Sequence, residues 1–494
     1  LAQNNIDPPI KTQGNITKPV QVQDSIAPSI KKQEDIAKPV QVQVHNKQPA
    51  KAKTKRIHPA TLKELYDQTA YNHPELKAGA AGRDAADISV TNAYFGLLPR
   101  ATLTIDNSNE RQEVFRTDNP TYQVGSGVYD GFQRSIEVIQ PIADPRVFAQ
   151  LNAANAASDR AHSEYDSISQ DFIYSLIKTY LSALSAHDAE SVAASETKAV
   201  QAHLEEMSVR KRAGLVQIGD VSEVKARLET AKAQRANAAA AMTESFASLE
   251  RNIGGPVEAL APLSASIAMV PPLPAIVDDW VAAARRHNPD LHSLQAAARV
   301  AGAQVYSDFA ADLPRLEFHY TDTHLKTGGS LYGGGSTTSD RVAMLRLTIP
   351  LFNAAGTGYA AFADRQRQMQ AQYQSDTKRF EIDAQVKTAF SEVKVSVQRT
   401  KMLENAVKAQ ANTVAAKQER FRSGLTSVTS VLDAERDYYQ ARRALLGARY
   451  NYLLSMMQLK RLAGDISPSD LSFLDDQTDP DATPVRPIYV ADGR

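Results

Sequence analysis

A chain that carries the same ordered landmarks twice is constrained to fold as two like halves, and this sequence does so. Asn72-His73-Pro74-Glu75-Leu76 returns as His287-Asn288-Pro289-Asp290-Leu291, and Leu98-Pro99-Arg100 returns as Leu313-Pro314-Arg315. Further along, Gln140-Pro141-Ile142 is matched by Ile349-Pro350-Leu351, and Ala213-Gly214-Leu215 by Ser423-Gly424-Leu425. The copies lie about 210 residues apart, far beyond the roughly 20–50 of a solenoid repeat, so each is a large half of one architecture. The chain divides into an N-terminal extension at 1–58, a first half at 59–270, a second half at 271–465 and an acidic tail at 466–494.

Each half reads as the same series of elements. Helical spacing marks Leu62, Leu65 and Tyr66, and a helix is predicted from Pro74 to Phe95, stopped by Gly96 and Pro99. Period-two alternation then predicts strands over Ala101–Asn107 and Ser126–Ile142, with Leu103 and Ile105 on one face and Thr102 and Thr104 on the other. In the second half, Leu316–His319 and Val342–Leu351 repeat them. The segments Glu110–Gln123 and Lys326–Asp340 are polar or glycine-rich and read as loops. The run Gly333-Gly334-Gly335-Ser336 is not followed by Gly-Lys-Ser/Thr, so a phosphate cradle is not indicated.

After each strand pair the period changes to that of a helix. Ile168, Phe172, Leu176, Tyr180 and Leu184 recur at spacings of three or four, and Arg146 to Arg212 contains neither Pro nor Gly. Such a helix reaches roughly 100 Å. Gly214-Leu215 makes a turn, and a second helix returns to about Asn252. The second half copies this with Gly358–Arg422, Gly424-Leu425 and a helix to Leu462.

Composition narrows the partners. Lys plus Arg and Asp plus Glu both number 56, so nothing favours nucleic acid. Cysteine is absent, which excludes disulfides and thiolate metal sites. The chain begins at Leu1, consistent with a leader already removed. The extension carries four decapeptides, Asn5–Gly14, Asn15–Asp24, Ser25–Glu34 and Asp35–Val44. They are rich in Pro and free of aromatics, and read as a disordered tether. The tail after Asp465 reads as flexible.

No run of about 18 apolar residues is present, so a membrane can be crossed only as a β-barrel. Four strands cannot close one; two chains give eight, a filled interior, and three give twelve, wide enough for a lumen. Helices near 100 Å then project across a compartment. The expected fold is mainly α with membrane β. The physical picture is a membrane pore on a long periplasmic conduit.

With these residues in view, residues 59–465 resemble the outer-membrane factor (TolC) family of export channels. The likeness rests on Asn72–Leu76, the two Leu-Pro-Arg entries, Arg210-x-x-x-Gly214-Leu215 with Asp220-Val221, and Arg420-x-x-x-Gly424-Leu425 with Val431-Leu432-Asp433. The last helix, around Ala448–Leu453, looks similar as well. The resemblance implies the full form of the fold, a trimeric outer-membrane barrel of four strands per chain, continued by a long periplasmic α-helical coiled-coil barrel. It implies a homotrimeric exit duct of a Gram-negative tripartite export system for type I protein secretion, drug efflux or both. It implies a periplasmic adaptor docked at the helix tips, on Arg210, Gly214 and Leu215 and on Arg420, Gly424 and Leu425. An inner-membrane ABC exporter or proton-driven pump stands behind the adaptor, and outer-membrane lipid surrounds the barrel. It also implies acidic rings at the periplasmic entrance. Here Asp433 keeps one acidic position and Ser430 stands at the other. The family's closed tip is latched by an Arg and a Tyr facing an Asp; Asp220 matches the Asp, but Thr426 stands for the Arg and Phe421 for the Tyr. The lack of Cys argues against the lipid-anchored branch.

Two rivals remain. An enzyme would need a nucleophile elbow, a dinucleotide fingerprint or a clustered ligand set, and none is visible; His73 and His287 sit beside helix-starting prolines. No cofactor and no metal is expected. A coiled-coil envelope scaffold without transport would explain the helices but not the duplicated strand pairs.

Overall fold

The computed structural model describes residues 59–120, 124–264, 267–331, 333–351, 357–479 and 483–487. The decapeptide region at 1–58 and the last tail residues at 488–494 lie outside them. The first half contains α1 (Leu62–Thr69), α2 (Pro74–Phe95), β1 (Arg100–Val114), β2 (Gly125–Ala143), α3 (Pro145–Arg212) and α4 (Ile218–Ile253). The second contains α5 (Val277–His287), α6 (Pro289–Ala311), β3 (Arg315–Ser330), β4 (Gly333–Thr348), α7 (Thr357–Arg422) and α8 (Val428–Ala463). A short α9 (Pro468–Asp475) follows.

Local chemistry sets the helix boundaries. Thr61 and Glu64 form a reciprocal capping box that starts α1. Pro occupies the first position of α2, α3 and α6, where its missing N–H costs nothing. α3 runs 68 residues and α7 runs 66 without interruption, about 100 Å each. α4 and α8, 36 residues each, return alongside them as two antiparallel hairpins. α4 and α8 end at Gly254 and Gly464 with φ of 71° and 74°.

The strands form one antiparallel sheet in the order β1-β2-β3-β4. The register sorts the side chains. Ala101, Val138, Tyr320 and Ala343 lie in one row on one face. Thr104, Ser135, Thr323 and Asp340 lie in a row on the other, where the Ser135 and Thr323 hydroxyls are 3.1 Å apart. Among the described residues the sheet is open at both ends, so β1 and β4 each carry an unpaired ladder edge.

The strands are longer than alternation predicts. β1 continues to Val114, and the ladder of β3 and β4 takes in 326–330 and 333–340 of the segment Lys326–Asp340, which the sequence presents as a loop. Glycine has no side chain to alternate, so Gly328, Gly329 and Gly333–Gly335 hide a ladder that continues through Gly329 with Gly334 and Ser330 with Gly333. The tail is a second correction. Residues 466–494 are expected to be flexible, yet Ile466, Leu471, Leu474 and Val485 are buried. Asp475 accepts hydrogen bonds from the N–H groups of Leu62 (2.8 Å) and Lys63 (2.9 Å), and Val485 exchanges two with Leu260. A few apolar anchors in an acidic stretch suffice to hold the described part of the tail against the first half.

The main core lies midway along the two long helices, α3 and α7, where the last third of α4 and α8 packs on them. Leu176, Ile177, Tyr180 and Leu181 of α3 meet Phe246 and Leu249 of α4, Val386 of α7 and Leu453 and Met457 of α8. Each fully buried aliphatic side chain here contributes about 1.5–3 kcal/mol. The Tyr180 hydroxyl donates to the Ala261 carbonyl at 2.8 Å, which satisfies its polar end. Among the described residues, no helix is long and apolar enough to cross a membrane.

Candidate functional site

The far ends of the two hairpins hold most of the residues singled out in the sequence. Each long helix stops by the same device. Leu215 N–H donates to the Arg210 carbonyl (2.9 Å) and Gly214 N–H to that of Lys211 (2.9 Å). Leu425 N–H donates to Arg420 (2.8 Å) and Gly424 N–H to Phe421 (3.0 Å). These paired bonds define a Schellman motif, with Gly214 and Gly424 both at φ 73°, where a side chain is strained. The motif pushes the next residue outward. Leu215 and Leu425 are 74% and 70% exposed, two apolar knobs on the two tips.

The tips are joined rather than separate. Met207, Val224 and Leu228 of the first hairpin pack with Phe421, Val431 and Leu432 of the second in one small core. Arg210 donates to Glu206 at 2.7 Å and lays its guanidinium over the Phe421 ring, 4.7 Å from the centroid. Arg420 is exposed and forms no ion pair among the described residues. The duplicated arginines are therefore not equivalent.

The acidic positions are engaged differently from the family pattern. Asp433 accepts from Arg227 of α4 at 2.7 Å and lies 3.4 Å from Arg436. Its carboxylate thus faces two guanidiniums instead of standing alone. Asp220 accepts from the Gln217 N–H (3.2 Å) and closes the capping box that begins α4. Ser430 N–H lies 3.4 Å from the Ser427 hydroxyl that caps α8. Phe421 is core, 8% exposed, and Thr426 is half-buried in the turn before α8. Asp220, Thr426 and Phe421 are not brought together by any hydrogen bond among the described residues.

Sequence reasoning missed the polar contacts between the hairpins. His203 of α3 lies 2.9 Å through Nε2 from Glu435 Oε1 of α8, and Gln418 of α7 donates to the same oxygen at 2.8 Å. Arg443 of α8 donates to Glu196 of α3 at 2.6 Å, and the Tyr439 hydroxyl to the Ser195 carbonyl at 3.4 Å. The hydrogen bond to Glu435 and its charge, with that of Glu206, raise the His203 pKa, against the opposing effect of burial. No spacing rule connects residues more than 200 positions apart, so the only available signal was their shared helix periodicity. Among the described residues, no group of three or more metal-ligating side chains is assembled.

Comparison with known proteins places this architecture. The family model described as "Outer membrane efflux protein" matches residues 65–255 and 280–465, one block in each half. The chain is 25% identical over 415 residues to the alkaline protease secretion protein AprF of Pseudomonas aeruginosa, covering 84% of this chain and 86% of AprF. It is 25% identical over 418 residues to the outer membrane protein TolC of Vibrio cholerae, covering 83% and 92%. Among solved structures, the outer-membrane channel OprN superposes with a TM-score of 0.71 at 17% identity, over 82% of this chain and 90% of OprN. The outer-membrane channel CmeC of Campylobacter jejuni superposes with a TM-score of 0.70 at 14% identity, over 85% and 90%. The chain belongs to the outer membrane efflux protein family.

Proposed function

We propose that this member of the outer membrane efflux protein family works as a homotrimer whose twelve strands close one barrel in the outer membrane. The observation that carries this reading is the sheet: four strands open at both edges, with an apolar row on one face and a polar row on the other. An open edge in lipid leaves backbone groups unpaired at several kcal/mol each, so the edges must meet. Three copies bring β4 of one chain to β1 of the next and leave a lumen lined by the polar rows; the apolar rows face outer-membrane lipid. The halves at 59–270 and 271–465 each supply one strand pair and one hairpin, and the hairpins continue the barrel as a periplasmic tube about 100 Å long.

The chain is the outer-membrane exit duct of an export system, and cargo crosses it without a chemical step. The two tips form its periplasmic entrance. The knobs Leu215 and Leu425, beside Arg210 and Arg420, offer the surface for a periplasmic adaptor, with an inner-membrane ABC exporter or proton-driven pump beyond it. Asp433 stands at the entrance, and Ser430, Asp220, Thr426 and Phe421 shape the closed tip. Relatives named for protease secretion and for antibiotic efflux support export of polypeptides, drugs or both.

Native mass measurement in mild detergent, combined with planar-bilayer recording, tests this reading. Three chain masses and a stable conductance are expected. A monomer that conducts by itself overturns the trimeric barrel, and a trimer that never conducts overturns the duct.

A further inference from the structure

The polar bridge between the hairpins has a feature the duct reading does not use. Glu435 is 5% exposed, and both of its hydrogen bonds, from His203 and Gln418, arrive at Oε1. Its second oxygen, Oε2, is buried without a hydrogen-bond partner among the described residues. A buried carboxylate satisfied on one oxygen depends heavily on the charge beside it.

We propose that His203 and Glu435 form a proton-dependent clasp that holds the α7–α8 hairpin against the α3–α4 hairpin and so regulates the periplasmic entrance. The proposal rests on the reading of the tips as that entrance. Its geometry is an ion pair across the seam whose cation can lose its proton, next to the small core that contains Phe421 and Leu432.

The surrounding groups leave His203 as the partner that matters. On α3, Glu206 lies 4.0 Å from Nδ1 but is already held by Arg210 at 2.7 Å. From α4 comes Arg227, engaged by Asp433, and from α8 Arg436, engaged by Asp437 and Asp433. On α7, Gln418 is neutral and donates in either state. The arginine contacts across the seam, Arg443 with Glu196 and Arg227 with Asp433, do not lose their cations at any physiological pH.

The sign follows from the raised His203 pKa. Below the ordinary histidine value of 6.5 the imidazolium is present in folded and separated states alike, and the clasp contributes fully. As pH rises through the higher folded value the proton leaves, and Glu435 keeps its burial without a facing cation. The hairpins then part more readily. The entrance is tight in acid and loosens toward alkaline pH.

The test uses the full-length trimer in planar bilayers between about pH 6 and about pH 9, a range that spans histidine titration. The wild type is expected to gain open probability severalfold as pH rises. His203→Gln and Glu435→Gln, which keep a hydrogen-bonding side chain, are expected to lose that dependence. Spin labels at Leu215→Cys and Leu425→Cys supply a second readout: the distance between tips broadens with pH in the wild-type background and not in His203→Gln. No pH dependence in the wild type, or the same dependence in both glutamine variants, overturns the clasp. Absence of conductance at every pH overturns the duct reading instead.

Discussion

The guanidinium of Arg210 lies over the ring of Phe421, 4.7 Å from its centre, and so ties the tip of the first hairpin to the tip of the second. Family resemblance places an aromatic residue and a cation in the tip latch, facing an acid. Here a cation–aromatic pair is present, but the cation comes from the opposite hairpin and Asp220 is occupied with capping its own helix. A contact of this kind contributes about 1 kcal/mol when partly shielded from water.

The first prediction concerns that pair. In a double-mutant cycle, Arg210→Ala and Phe421→Leu should couple by about 0.5–1 kcal/mol. The measured quantity is the tip-opening equilibrium, taken from open probability in bilayers. Strictly additive effects would show that the stacked geometry contributes nothing to closure.

A second prediction separates the charges at the entrance. Asp433 pairs with Arg227 and lies beside Arg436, which Asp437 also holds at 2.9 Å, so Asp433→Asn removes one anion and leaves Arg227 unopposed among the described residues. Cation selectivity should fall and block by multivalent cations should weaken. Arg227→Ala should act oppositely and raise cation selectivity. Reversal potentials in a salt gradient read both. If neither variant moves the reversal potential, Asp433 does not face the conducting path.

Docking at the tips is tested by bulk. A β-carbon on Gly214 or Gly424 meets open space, so a large side chain there is not excluded by packing. The cost is the positive φ, about 1–2 kcal/mol. Gly214→Trp and Gly424→Trp should leave trimers intact on native gels while abolishing adaptor cross-linking and export. Normal export in both would move the docking surface elsewhere.

The matching glycine at the other end of the hairpin should behave differently. Gly464 also has positive φ, but a β-carbon there would fall inside contact distance of the His287 carbonyl oxygen, a backbone atom that cannot swing away. Gly464→Ala should destabilise the chain by about 3 kcal/mol, from the dihedral strain together with the clash. The temperature at which trimers dissociate in detergent should drop clearly, whereas Gly254→Ala, with open space around it, should lower it less.

Much of this molecule is determined by local sequence. The duplication, the strand pairs, the two uninterrupted helices and the turns at Gly214 and Gly424 all depend on residues within a few positions of one another. Periodicity, proline and glycine report such features directly. What only the tertiary structure decided depends on distant partners. β3 and β4 extend through a glycine-rich stretch because backbone ladder bonds hold it, and glycine leaves no alternation to read. The described part of the tail docks because Leu471, Leu474 and Val485 find buried places against the first half. Arg210 and Arg420 are equivalent in sequence, yet one stacks on Phe421 and the other faces solvent. His203 and Glu435 look like ordinary polar positions on two helices; only the seam that joins the hairpins removes water from them and makes the proton between them matter.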